Sequence, residues 1–228
     1  MRRRAIRAEN DWTAREVARH PTRLIGFCGV NPLTDTALPE IERCAKELGL
    51  KGLKLQLNNS GVDLSDPVHV ARVQQVFAAA NRLKLPIVVH LATGSPAVGR
   101  SNAEVFLEAI LPRASEVVVQ IAHLAGSGPG WNDEALEVFA KAIEAKDPRT
   151  RNLFFDVATV ADLQEAIGSS CSPGRFARSG PSASCLDPTP CSGAQDARMR
   201  SGGPSAAWCP LTDAEFAIIR DNVAPYLR

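Results

Sequence analysis

Leu85-Pro86-Ile87-Val88-Val89-His90-Leu91 and Val117-Val118-Val119-Gln120-Ile121-Ala122-His123-Leu124 decide the reading of this chain. Each is a short run of mostly β-branched residues, apolar on consecutive positions, that closes on a histidine. Consecutive apolar positions predict a parallel strand buried on both faces. Leu24 to Val30, Gly52 to Leu57 and Leu153 to Val157 read as three further strands. Between them the spacing predicts helices over Pro39 to Leu48, Asp66 to Leu83, Ala103 to Ala109 and Asn132 to Ala145. Strand-helix units of this size specify right-handed βαβ crossovers, which leaves an open doubly wound sheet and a (β/α)8 barrel as the competing architectures. The Rossmann version of the open sheet loses its support, because Gly26-x-x-Gly29 lies within the first strand and opens no helix.

The 228 residues, 45% hydrophobic and 22% charged, suffice for one sizeable domain with a buried core. A net charge of +1 argues against nucleic acid or a membrane surface as partner, since binding phosphate needs clustered positive charge. No apolar run approaches the roughly 18 residues of a membrane span, and Met1-Arg2-Arg3-Arg4 leads into Glu9-Asn10-Asp11 rather than an apolar stretch. The expectation is a soluble cytoplasmic protein acting on a small molecule. The six cysteines form no CxxC pair, so they predict neither a zinc knuckle nor a disulfide scaffold and have no evident designed role.

Residues 168–209 break the pattern. Of these 42 residues, 24 are Gly, Ser, Pro or Cys, and Leu186 is the only Leu, Ile or Val. Such a segment buries too little apolar surface to offset an ordering cost of about 1–2 kcal/mol per residue, and it reads as loop or disorder. Regular patterning resumes at Leu211-Thr212-Asp213-Ala214-Glu215, which opens a helix with Phe216, Ile219 and Val223 on one face. The chain therefore divides into residues 1–167, an irregular segment 168–209, and a C-terminal helix within 210–228.

His90 and His123 occupy equivalent places at the ends of two strands, the face of a parallel α/β fold that carries active sites. Imidazole there suits a divalent metal or proton transfer. The bland alternative is a pair of buried histidines bonded to loop carbonyls. His20 and His69 read as surface or capping residues. Lys54 and Asn58, at the end of the second strand, and Asp156, at the end of the fifth, are candidates for substrate contact at the same mouth. Asp156 puts a carboxylate on an otherwise apolar strand, where an unpaired charge is costly. Trp131, after Gly126-Ser127-Gly128-Pro129-Gly130, either covers a substrate or packs a loop.

As a set, these motifs resemble the amidohydrolase-2 branch of the amidohydrolase superfamily. The phrases that carry the resemblance are Arg23-Leu24-Ile25-Gly26-Phe27 with Val30-Asn31-Pro32, Leu50-Lys51-Gly52-Leu53-Lys54-Leu55, Leu85 to His90, Ile121-Ala122-His123-Leu124-Ala125-Gly126 and Asn152-Leu153-Phe154-Phe155-Asp156. The resemblance implies a (β/α)8 barrel and metal-dependent hydrolysis of an amide, lactone or related carbonyl, or in some relatives decarboxylation. It makes His90 and His123 the ligands of a divalent ion, zinc by expectation, on the fifth and sixth barrel strands. Members also carry a His-x-His pair on the first strand and an aspartate on the eighth. This chain shows neither, so it reads as an incomplete barrel that lacks its first strand. A non-catalytic remnant is then the third reading. Exposed strand edges on such a barrel predict self-association, a homo-oligomer.

The absent aspartate can be pursued through codons. Pro181 to Pro190 can be encoded so that the neighbouring frame reads Glu-Arg-Val-Leu-Ser-Gly-Ser-Asp-Ala, a strand closing in Gly-Ser-Asp as on the family's eighth strand. The same shift turns residues 168–180 into a Leu- and Arg-rich helical segment. With 20 Arg against 6 Lys the gene is expected to be GC-rich, where off-frame reading yields Arg, Ala, Gly, Pro and Ser. Compensating frame errors near Ile167 and Trp208 are the expectation, and a genuine flexible insertion is the alternative.

Overall fold

The computed structural model of the chain describes residues 3–91, 99–125 and 133–156. The segments 168–209 and 210–228, and Trp131, lie outside the described residues. The elements follow as α1 (Arg3–Arg19), β1 (Phe27–Gly29), α2 (Ala37–Lys46), β2 (Gly52–Gln56), α3 (Pro67–Arg82), β3 (Ile87–His90), α4 (Arg100–Val105), β4 (Val119–Ile121), α5 (Asp133–Glu144) and β5 (Leu153–Phe155). A π-helical turn, Phe106–Ile110, and a 3-10 turn, Leu111–Ala114, continue α4. No helix among the described residues is long and apolar enough to cross a membrane.

All five strands are parallel and lie in the order β1-β2-β3-β4-β5. A doubly wound sheet reverses its order at a switch point, whereas here each crossover adds its strand on the same side, as barrel strands do. Local chemistry places the helices. Asp66 caps α3, its carboxylate accepting from Val68 N at 2.7 Å, and Pro67 occupies the first turn, where its missing N–H costs nothing. After α2, Gly49 takes φ +66° and lets the Leu50 N–H reach back to the Cys44 carbonyl.

Of the two runs expected to be buried on both faces, β4 is so buried and β3 is corrected, since its burial alternates as that of β2 and β5 does. Leu53, Leu55, Ile87, Val89, Leu153 and Phe155 are sealed under the helices, while Lys54, Val88, His90 and Phe154 are half-buried and Gln56 is exposed. Among the described strands only β4 is closed on both sides. One face thus packs against helices, and the other carries the polar side chains. Gly52 belongs to that second face for a steric reason: a Cβ there would stand 2.3 Å from the Phe27 ring of the paired strand.

Under the helix-covered face the core is built around an aromatic chain. Phe77 and Phe106 pack with ring centroids 5.6 Å apart, Phe106 and Phe139 at 6.1 Å, and Phe139 and Phe155 at 5.7 Å, linking α3, the π-helical turn, α5 and β5. All four are fully buried, each burial contributing about 1.5–3 kcal/mol of transfer free energy.

At the other end of the sheet, α1 closes the edge of β1 with one side chain. The Asn10 amide accepts from Gly29 N at 2.8 Å and donates to Gly29 O at 3.0 Å, replacing a neighbouring strand's two hydrogen bonds. Asn10 also donates to Glu40, which pairs with Arg43 at 2.6 Å, and Arg43 reaches Asp11 at 2.6 Å. Burial works against the Glu40 carboxylate, but the hydrogen bonds from Arg43 and Asn10 outweigh it and hold the group below its ordinary range.

Cys28 of β1 and Cys44 of α2, both fully buried, form a disulfide with Cα atoms 6.0 Å apart. This corrects the expectation that these two thiols have no role. The spacing of 16 residues carried no signal, because the pairing is made by the packing of helix on strand. Cys171, Cys185, Cys191 and Cys209 lie outside the described residues.

Candidate functional site

The site is the end of the sheet where the strands finish. His90 is the last residue of β3 and pairs in register with Gln56 at the end of β2. Its carbonyl accepts from Leu57 N, which ties the backbone under it to β2. Alternation then puts Lys54, Gln56 and His90 on one face of the sheet. Lys54 is close enough that its charge acts on the His90 ring.

His123 arrives differently from the way its sequence suggests. The run Val117 to Leu124 reads as one strand, but β4 ends at Ile121 and residues Ala122–Ala125 form a tight turn. Within it His123, Leu124 and Ala125 take φ values of 55°, 50° and 76°, three successive non-glycine residues in the left-handed region. That conformation costs roughly 1–2 kcal/mol per residue and persists only when its surroundings over-determine it. Asp156 supplies the surroundings. Its Oδ1 accepts from His123 N at 2.9 Å, its carbonyl accepts from Leu124 N at 3.0 Å, and its N–H donates to Ile121 O at 3.2 Å. Oδ1 lies 3.4 Å from Nδ1 of His123 as well.

The turn brings the two imidazoles together, edge to face, with centroids 5.2 Å apart and planes inclined at 70°. Burial pushes the His90 pKa down to about 4, with the neighbouring His123 and Lys54 adding to the effect and Asp156 opposing it. The His90 ring is therefore neutral at physiological pH, the form that has a lone pair for a metal or a proton.

Of the residues expected at this mouth, the structure brings together His90, His123, Lys54 and Asp156. Asp156 is 5% exposed, and its carboxylate turns inward to His123 and to Gln120. Asn58 sits in the turn after β2, with a buried Oδ1 that takes no hydrogen bond among the described residues. Gln120 was not among the expected site residues. It is 2% exposed, and its Nε2 donates to Asp156 Oδ2 at 2.9 Å. An amide inside Val-Val-Val-Gln-Ile was the available signal, because a buried polar group needs a partner. Two imidazoles packed this closely suit two positions around one divalent ion. Among the described residues no group of three or more His, Cys, Asp or Glu could hold one, so the pair fits as part of a ligand set.

Comparison with known proteins matches this arrangement to a family. The profile of the amidohydrolase family matches residues 1–186. A 2-amino-3-carboxymuconate-6-semialdehyde decarboxylase of Dictyostelium discoideum is 32% identical over 83 residues, covering 36% of this chain and 22% of that one. A gamma-resorcylate decarboxylase of Polaromonas is 34% identical over 100 residues, covering 41% and 30%. The matched part thus spans less than a third of either relative. Among solved structures, a TIM-barrel protein from Bordetella bronchiseptica aligns with a TM-score of 0.57 at 14% identity, covering 96% of this chain and 71% of that one. An amidohydrolase from Burkholderia multivorans, with bound zinc, aligns at 0.53 and 14% identity, covering 93% and 76%. At such identities the structural likeness establishes the fold, a (β/α)8 barrel of which five strands are described.

Proposed function

The chain belongs to the amidohydrolase family, and on that premise we propose that the end of its sheet is a metal-dependent site acting on a small carboxylated substrate, with decarboxylation as the reaction. The observation that carries the proposal is the edge-to-face pairing of the His90 and His123 imidazoles at the mouth of the sheet, centroids 5.2 Å apart. The decarboxylase names of two relatives support the choice of reaction.

His90 and His123 are the two residues that would hold a divalent ion. When bound, such an ion supplies Lewis-acid polarisation of a substrate oxygen and lowers the pKa of water toward about 7. Lys54, on the face that carries His90, draws a carboxylate toward the mouth. Asn58, in the turn after β2, has a buried amide oxygen that takes no hydrogen bond among the described residues, and a substrate donor would have to open the turn to reach it. In decarboxylation the carbon–carbon bond to the carboxylate breaks, carbon dioxide leaves, and the electron pair stays on a carbon that must take up a proton. With His90 and His123 engaged as ligands, that proton would come from solvent water at the mouth.

Hydrolysis of an amide, lactone or related carbonyl is the second reading, supported by the family itself. The same donors serve both reactions, so substrates must separate them. The test supplies the purified protein with Zn(II), Mn(II) or Co(II) and follows carbon dioxide release from aromatic and unsaturated carboxylates alongside hydrolysis of amides and lactones. Metal-dependent carbon dioxide release, lost in His90→Ala, supports decarboxylation. Hydrolysis alone transfers the site to the second reading, and neither activity with any metal leaves a non-catalytic barrel.

A further inference from the structure

We propose that Asp156 is a positioning residue, whose buried carboxylate, anchored by Gln120, holds the left-handed turn at His123 and thereby sets the His123 ring against His90. It rests on the proposed function only for why the ring's place matters. The geometry has three independent parts. The backbone at His123, Leu124 and Ala125 lies in a region that non-glycine residues avoid, so an outside constraint is required. Asp156 contacts the turn at the amides of both His123 and Leu124, and its own amide is tied to Ile121 just before the turn. The carboxylate is itself fixed on its second oxygen by Gln120 Nε2, from the same strand that ends at the turn. β4 and β5 are neighbours in the sheet, so Gln120, the turn and Asp156 form a closed loop of contacts across one strand pair.

This arrangement separates two duties of the carboxylate. Accepting the His123 N–H needs only an oxygen, which an asparagine in the same place retains. Alanine removes it. The test prepares the full chain, metal-free, as Asp156→Ala and Asp156→Asn, with nitrogen-15 histidine for ring spectra and amide hydrogen exchange read residue by residue. The inference predicts that Asp156→Ala moves the ring-nitrogen signals of His123 and speeds exchange of its amide about tenfold, while Val119 and Ile121 keep their protection. Asp156→Asn returns both readouts toward the parent. His123 ring signals unchanged in Asp156→Ala overturn the inference. So does loss of protection throughout β3, β4 and β5 in both variants, which makes Asp156 a general folding residue. Absence of turnover in the parent chain counts against the proposed function and leaves these metal-free readouts standing, so the two failures are distinguishable.

Discussion

The rings of His90 and His123 meet edge to face, 5.2 Å between centroids, although one residue ends a strand and the other lies two residues beyond one. Equivalent positions in two strands point alike, but the left-handed turn after Ile121 re-aims the second ring toward the first. The site therefore depends on a strained backbone as well as on two side chains, and its stability comes from elsewhere in the molecule.

Phe106 is the centre of the aromatic chain from α3 to β5, in edge contact with both Phe77 and Phe139. Phe106→Ala leaves a cavity lined by those two rings and is expected to cost about 3–5 kcal/mol. Urea denaturation checks this, and a loss under about 1 kcal/mol would mean that the helix layer collapses freely into the space.

Arg43 and Glu40 form a buried pair, each side chain 9% exposed. Arg43→Met leaves the Glu40 carboxylate with the Asn10 amide at 2.9 Å and Arg7 at 3.5 Å, and is expected to destabilise by about 1–3 kcal/mol. The pH dependence has a definite sign. Because the folded state holds Glu40 below its ordinary value of 4.5, its contribution is present above that pH and is lost as pH falls through the lower folded value. Denaturation midpoints of the parent and Glu40→Gln, compared near pH 7 and near pH 3, should differ more at the higher pH. A gap that widens on acidification would contradict the assignment.

The Cys28–Cys44 disulfide closes a loop of 16 residues between β1 and α2. A loop of that length corresponds to about 3 kcal/mol of stabilisation. Unreduced protein, unfolded in denaturant with an alkylating reagent, should leave Cys28 and Cys44 unlabelled, and reduction should lower the denaturation midpoint. Alkylation of both thiols without reductant would show that the bond does not form.

The arrangement of strands was legible in the sequence because local chemistry decides it. Asp66-Pro67 opens α3 and Gly49 follows α2, and the five apolar runs fall on the five strands, though each strand is shorter than its run. His90 was legible for the same reason. The turn at His123 was not, since Ile-Ala-His-Leu carries no glycine to announce positive φ, and the Asp156 carboxylate that accepts from its backbone lies 33 residues away. The cysteine pair and the Asn10 contact to Gly29 were hidden likewise, being products of tertiary packing. Trp131 and the segment 168–209 lie outside the described residues. For that segment the expectation stands on codons alone: sequencing the gene across residues 160–215 should show a neighbouring open frame ending a strand in Gly-Ser-Asp, and closed or unpatterned frames would make the segment a genuine insertion.

The central claim, that His90 and His123 hold a divalent ion between them, is tested most directly by titrating the metal-free protein with Co(II) and following its visible absorption. The account predicts saturation at about one ion per chain with nitrogen ligation. With two imidazoles as the described donors, the dissociation constant should be on the order of micromolar, weakened at least about tenfold by either His90→Ala or His123→Ala. No saturable binding, or binding that neither substitution changes, would contradict it.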